Sequence, residues 1–272
     1  MAVDHYENFP VASILLPRRM RRAVEVIYHF ARQADDFADE GNLPDAERLA
    51  RLDAFRDELK RIENNEPPQT TLFIDLLEII NLHKLPLQLF HDLLDAFSQD
   101  VVKKRYADFE EVMDYCRRSA NPVGRLLLHL YDAVTPQNLI YSDKICTSLQ
   151  LINFWQDIEK DFSINRIYLP QDDMAKFAIT ENQIALREVN AAWRDLMQFE
   201  VDRARQMMRE GAPLGSILSG RIGLEMRLII AGGLRILTKL ENAKHDMFNH
   251  RPQLKPLDWL IMLLNSAPFR HI

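Results

Sequence analysis

The residues best equipped for chemistry lie in two acidic clusters: Asp35, Asp36, Asp39 and Glu40, and later Asp157 and Asp161, the latter preceded by Gln150 and Asn153. In an α-helix, residues four apart stand on one face, which stacks Asp35 with Asp39, Asp36 with Glu40 and Asp157 with Asp161. Stacked carboxylates repel each other. The repulsion is tolerable in open solvent or where divalent cations neutralise it, and Mg²⁺ characteristically takes one or two carboxylates together with phosphate oxygens. Two such walls point to metal-assisted chemistry on a diphosphate ester.

A plainer reading stands beside this one. Alone, the first cluster is equally well explained as a solvated acidic helix end. The second shifts the balance, because Gln150, Asn153, Asp157 and Asp161 form a polar stripe among Leu149, Leu151, Ile152, Phe154 and Trp155. Polar groups on such a helix need partners if buried, and a metal-filled central cavity supplies them. Arg32 lies one turn before the first cluster and can either pair with Asp36 or hold diphosphate oxygens through both arms of its guanidinium. Arg18, Arg19, Arg21 and Arg22 read as a solvated basic face. Tyr28, Tyr115 and Tyr168 are either core aromatics with bonded hydroxyls or π-faces that stabilise a cation. Cys116, Cys146 and His129 have no partner pattern for nucleophilic catalysis or zinc binding and read as structural.

The elements that must position these groups are helical. The chain has 272 residues, 47% of them hydrophobic, and only eight glycines, and its stretches rich in Leu, Ala, Arg, Glu and Gln lack the alternation of strands. We expect one all-α domain over residues 1–272. The spacing predicts a first helix from near Pro17 to Glu40 that ends at Gly41 and carries the acidic cluster at its C-terminal end, where carboxylates oppose the helix dipole. Further helices are expected at 45–64, 70–82, 86–98 and 109–131, the last bent at Asn121-Pro122 so that polar groups near Asn121 open towards a pocket. A helix at 142–161 carries the second cluster. The capping-box spacing of Thr180 and Gln183 starts a long helix reaching Glu210, stopped by Gly211, and another follows at 216–245. Trp259 through Leu264 is an apolar segment that either closes the bundle or touches a membrane surface.

Composition excludes several classes. The net charge of −6 and the lack of a groove-reading motif argue against a nucleic-acid binder. Two cysteines without metal-like spacing imply a reducing compartment. No signal peptide and no membrane-spanning apolar run is read, so a cytoplasmic location is expected, with at most peripheral contact at the inner membrane.

The chain resembles the squalene and phytoene synthase family in Tyr28 through Glu40, Gln150 through Asp161 and Arg166-Ile167-Tyr168-Leu169-Pro170. The resemblance implies an all-α isoprenoid synthase bundle with a central cavity, whose facing acidic motifs hold Mg²⁺ around a prenyl diphosphate. Within the family, Tyr6 through Ser13, Arg118 through Arg125, Gly232 through Leu237 and Arg251-Pro252 resemble the bacterial hydroxysqualene synthase branch. That branch implies conversion of presqualene diphosphate and water to hydroxysqualene, with handover to other squalene-pathway enzymes. Correspondence with the family suggests Asp35, Asp39, Asn153, Asp157 and Asp161 for metal, to which the spacing adds Asp36 and Glu40. Ser13, Arg32, Tyr115, Gln150 and Arg166 are implied near substrate, and the bend adds Asn121. Asp35, Asp39, Asp157 and Asp161 with Tyr28 and Tyr168 form the expected catalytic set.

Asn165 stands where the family commonly has glycine, and Gln156 where some relatives carry a basic residue. No nicotinamide nucleotide is expected, since a Gly-x-Gly-x-x-Gly fingerprint is missing. The alternatives are a synthase that condenses two prenyl diphosphates into presqualene diphosphate, squalene or phytoene, and a noncatalytic helical lipid-binding or scaffold protein.

Overall fold

Pro17, with φ −54° and ψ 135°, opens α1 (Arg18–Asp39) in the computed structural model, which describes residues 17–265. Along α1 the apolar residues Ile27, Phe30, Ala34 and Ala38 recur at helical spacing and are buried. Phe30 is completely enclosed, with ring centroids 5.6, 5.8 and 5.2 Å from those of Phe55, Phe73 and Phe90. These rings come from α2 (Asp45–Glu63), α3 (Thr71–His83) and α4 (Gln88–Val102), so one side chain seats α1 against three helices. The opposite face of α1 keeps its charged groups.

The bend expected at Asn121-Pro122 separates α5 (Phe109–Ser119) from α6 (Asn121–Leu130). α6 joins two apolar clusters: Leu126 and Leu130 pack with the α1–α4 core, while Leu128, on the other side, packs with the core built around α7 (Pro136–Gln156). Gly124 permits the close approach of α6 to α7, because a Cβ there would stand 2.3 Å from Ser142 Oγ and 2.5 Å from Cys146 Sγ.

α7 is the most surrounded helix, packed by α5, α6, α11 (Ala191–Gly211) and α13 (Gly220–Asn242). It begins earlier than residue 142, at Pro136, with Thr135 accepting the Asn138 N–H at 3.1 Å as its cap. It also ends earlier than expected: Asp157, at φ −107° and ψ 16°, breaks the run, and α8 (Ile158–Ser163) follows at a new angle. The long helix expected from Thr180 is likewise two elements. The capping box forms, but it starts only α10 (Glu181–Ala185); Arg187 then turns to φ 55°, and Asn190 starts α11 by accepting the Trp193 N–H at 2.9 Å. Short helices α9 (Gln171–Lys176) and α12 (Leu214–Ile217) lie between the long ones, and no strand occurs among the described residues. α14 (Pro256–Asn265) docks on α13, burying Asp258 and Met262 and leaving Leu257 exposed. No helix of the described residues is long and apolar enough to cross a membrane.

Candidate active site

Tyr28, Arg32, Asp35 and Asp39 share the polar face of α1. Arg32 reaches Asp36 at 2.8 Å, Glu40 at 2.8 Å and Asp35 at 3.5 Å. The charge conflict expected at this helix end is met from α2: the Arg48 guanidinium donates to the carbonyls of Phe37 at 3.1 Å, Glu40 at 3.1 Å, Gly41 at 2.6 Å and Leu43 at 3.2 Å. A cation supplied to the last turn answers the dipole. The dipole is therefore no argument for a metal, which has to rest on the carboxylates that face inward.

Those carboxylates face the second motif. Asp35 is crowded by protein although 39% of its side chain remains accessible, as in a concavity. Lost hydration, with Asp39 adding to it, pushes its carboxyl up to about 7. Asp161 is pushed up to about 8 by burial, then by Asp157, with Asp39 contributing across from α1. The charge on Asp39 thus acts on both motifs.

The link between them is Arg166, whose side chain is 4% exposed and whose backbone N–H donates to the Asp161 carbonyl at 2.8 Å. Its guanidinium donates to both Asp39 oxygens at 2.8 and 3.2 Å, to the Asp100 carbonyl at 2.9 Å and to the Tyr168 hydroxyl at 3.3 Å. Burial opposes its charge, but Tyr168, Asp39 and Asp100 together hold its pKa above the ordinary value. Its Nε lies 4.0 Å from Asp100 Oδ1 and has no hydrogen-bond partner among the described residues, leaving a buried donor in reserve.

The turn that presents Arg166 is built by Asn165, which takes φ 60°, the left-handed conformation that glycine adopts freely and asparagine tolerates. Arg105 clamps it, donating to the Asn165 carbonyl at 2.6 Å and to its side-chain oxygen at 3.0 Å. Asparagine keeps the turn that glycine would make and adds a side-chain acceptor.

Behind Arg166 lies a group that sequence reasoning missed. Asp100, at the end of α4 and 4% exposed, accepts the hydroxyls of Tyr115 at 2.5 Å and Tyr168 at 2.8 Å. Burial pushes Asp100 up to about 6, against the lowering pull of Arg166 and Tyr115. Three aspartates lie on α4, at 92, 95 and 100, and nothing in the spacing marked the third as the buried one. Tyr115 and Tyr168 are held well above the phenol range by burial and by the Asp100 carboxylate, so their hydroxyls stay protonated donors. The Tyr168 ring stacks on Phe154 with centroids 3.6 Å apart and planes 11° apart. Phe154, Ile158, Asp161, Arg166, Ile167, Tyr168 and Leu169 line a small recess.

On α7, Leu151, Ile152, Phe154, Trp155 and Gln156 are buried, whereas Asn153 is exposed and Gln150 is half-buried. Asp157 is held by Arg251 at 2.5 and 3.1 Å, another partner that acidic spacing did not reveal.

The structure thus brings together Asp35, Asp39, Asp157, Asp161 and Arg166, with Tyr168 behind them. It sets other expected residues apart. Asp36 and Glu40 pair with Arg32 at the helix end, and Glu40 is 64% exposed. Tyr115 is buried with its hydroxyl on Asp100, and Asn121 is buried with its side-chain oxygen accepting the Thr147 hydroxyl at 3.0 Å. Tyr28 is half-buried one turn before Arg32. Ser13 lies outside the described residues.

No three carboxylate, histidine or cysteine side chains converge as a ready-made metal cage among the described residues, because Arg166 and Arg251 stand on the carboxylates. The donor set nevertheless fits a hard cation. Asp35 and Asp161 are both raised first by burial and then by nearby carboxylates, with Asp39 acting on each, a strain that a divalent ion would relieve.

A family model described as squalene/phytoene synthase matches residues 2–258. The chain belongs to the squalene/phytoene synthase family. Among relatives, it is 35% identical over 257 residues to a hydroxysqualene synthase of Rhodopseudomonas palustris, covering 94% of this chain and 86% of the relative. A phytoene synthase of Mycobacterium tuberculosis is 30% identical over 200 residues, covering 72% and 65%. Among solved structures, squalene synthase HpnC of Alicyclobacillus acidocaldarius superimposes with a TM-score of 0.81 at 36% identity, covering 89% of this chain and 90% of that one. A dehydrosqualene synthase superimposes with a TM-score of 0.82 at 19% identity, covering 94% and 88%, a likeness of fold alone. The expected all-α isoprenoid synthase bundle is the observed one, with Asp39 of the first motif and Asp161 of the second both near Arg166.

Proposed function

We propose that the chain is a hydroxysqualene synthase, converting presqualene diphosphate and water to hydroxysqualene and diphosphate. The observation that carries the reading is the juxtaposition of the two acidic motifs across a buried arginine, in a chain similar to proteins named hydroxysqualene synthase. Asp35, Asp39, Asn153, Asp157 and Asp161 would hold Mg²⁺, which when bound neutralises the diphosphate and makes it a competent leaving group.

The chain's own residues supply the rest. As Asp39 and Asp157 turn to the cation, Arg166 and Arg251 would become free to take diphosphate oxygens, with Arg32 next to Asp35. Arg166 Nε is the spare donor for that exchange. Departure of the diphosphate leaves a cyclopropylcarbinyl cation on the hydrocarbon, which rearranges and opens to an allylic cation captured by water, whose proton passes to the departed diphosphate. The stacked faces of Phe154 and Tyr168 offer π-density to that charge, and the apolar walls Ile158, Ile167 and Leu169 keep water scarce until capture. Asp100 keeps Tyr168 and Arg166 in register for this task.

The second reading is condensation of two prenyl diphosphates, favoured by the identity to a phytoene synthase and to a squalene synthase structure. Product analysis separates them. Purified protein with Mg²⁺ is given presqualene diphosphate without and with NADPH, and farnesyl diphosphate in parallel. Hydroxysqualene formed without reductant supports the proposal; presqualene diphosphate from farnesyl diphosphate, or squalene only with NADPH, replaces it with the sister activity.

A further inference from the structure

Gln156, the last residue of α7, is 2% exposed, and its side-chain amide donates to the Pro252 carbonyl at 2.5 Å. The next residue on the helix side, Asp157, is gripped by the residue before Pro252, Arg251, through Nε at 2.5 Å and Nη2 at 3.1 Å. Two adjacent residues at the end of α7 thus hold two adjacent residues of the segment leading to α14. That segment is fixed further along as well. Lys239 of α13 donates to the Gln253 carbonyl at 2.7 Å, and buried Asp258 accepts from the Lys255 N–H and from Arg235, each at 2.7 Å, and from Lys239.

An arginine–carboxylate pair that is partly open to water is weak on its own, because the long side chain must give up its rotamer freedom to stay in place. The Arg251 and Asp157 side chains are 24% and 21% exposed, so pairing alone does not hold them. Fixing the backbone beside Arg251 removes much of that cost. We propose that Gln156 is a positioning residue for Arg251: by pinning the Pro252 carbonyl it seats the guanidinium on Asp157, where it competes with a cation and then stands ready for diphosphate oxygens. A basic side chain at position 156 would bring a charge of its own; glutamine instead fixes a charge carried by a distant part of the chain. The consequence for diphosphate rests on the function proposed above, whereas the seating of Arg251 does not.

The test uses the full chain as wild type, Gln156→Leu, Arg251→Gln and the double variant. Calorimetry measures binding of Mg²⁺ alone and of inorganic pyrophosphate in the presence of Mg²⁺, and hydrogen exchange follows residues 249–255. Loosening a partly exposed ion pair is expected to tighten Mg²⁺ alone by about threefold in Gln156→Leu. Losing a supporting contact is expected to weaken pyrophosphate about tenfold. Exchange at 249–255 quickens. Because Gln156 acts through Arg251, the double variant binds both probes as Arg251→Gln does. Full additivity of the two substitutions, or Gln156→Leu isotherms and exchange equal to wild type, overturns the proposal. If Gln156→Leu does not fold, Gln156→Met, which keeps the side-chain length but lacks the amide donor to the Pro252 carbonyl, carries the same expectation. Wild-type protein that binds neither probe sinks the diphosphate reading instead, and hydrogen exchange then decides the positioning role alone.

Discussion

Replacing Tyr168 by phenylalanine removes one hydroxyl and leaves the ring where it stacks on Phe154. That hydroxyl donates to buried Asp100 at 2.8 Å and accepts from Arg166 at 3.3 Å. Its value depends on the state of Asp100, which is pushed up to about 6, above the ordinary carboxyl. Below that pH the folded protein carries a neutral acid, and an ordinary hydrogen bond is worth about 1 kcal/mol. Above it the bond is made to a buried charge and is worth about 1.5–3 kcal/mol. The loss in Tyr168→Phe is thus expected to grow from about 1 kcal/mol at pH 5 to about 2–3 kcal/mol at pH 8. A folded pKa raised above the unfolded one means that stability falls as pH rises towards it. Without the Tyr168 hydroxyl the folded pKa of Asp100 moves higher still, so the fall extends further. Urea unfolding at pH 5, 6, 7 and 8 on both proteins reads this directly, and at pH 8 the midpoint of thermal unfolding should drop by roughly 4–10 °C. A stability loss below about 0.5 kcal/mol, or one that does not change with pH, would refute the argument that Tyr168 serves the Asp100 carboxylate.

Asp161→Asn removes a carboxylate proposed to hold the cation and already raised by burial and by Asp157. Pyrophosphate release should fall at least about 100-fold while the unfolding temperature holds or rises, and loss of both together would mean a structural role instead. Glu200 is completely buried and pushed up to about 8 by burial, against the pull of Arg203, with Asp173 adding to the rise. The folded state holds a proton that the unfolded state loses from about pH 4.5 upward, so Glu200→Gln should gain stability relative to wild type between about pH 5 and 9, by up to a few kcal/mol. Denaturation curves with a constant difference across that range would contradict the shift. Gly211→Ala places a Cβ 2.7 Å from the Tyr141 carbonyl oxygen of α7, which is backbone and cannot step aside. A cost of about 1–3 kcal/mol by urea unfolding is expected, and no change would show that α7 and α11 can separate freely.

Much of the bundle was legible in local sequence because helix boundaries are written in local chemistry. Pro17 and Gly41 bracket α1, and the first acidic cluster sits on its last turn as spacing predicted. Where local signals competed, reading failed. The Thr180 capping box is real, yet Asn190 caps a second helix ten residues on, and nothing in the spacing said which would carry the longer run. Asp157 ends α7 because its neighbour Gln156 is bonded to Pro252 and its own carboxylate to Arg251, both far along the chain.

The sequence by itself determined which residues carry charge on which helix face, and its motifs carried the family resemblance. The helix faces follow from the helical repeat and from side-chain type, which need no neighbours. Only the tertiary structure decided which charges meet. Asp100 came to hold two tyrosines, Arg48 to cap α1, Arg166 to span the motifs and Arg251 to sit on Asp157. A carboxylate's pKa, and its readiness for a cation, are set by the water it loses and by charges that packing brings within a few Å; neither is a property of its place in the chain.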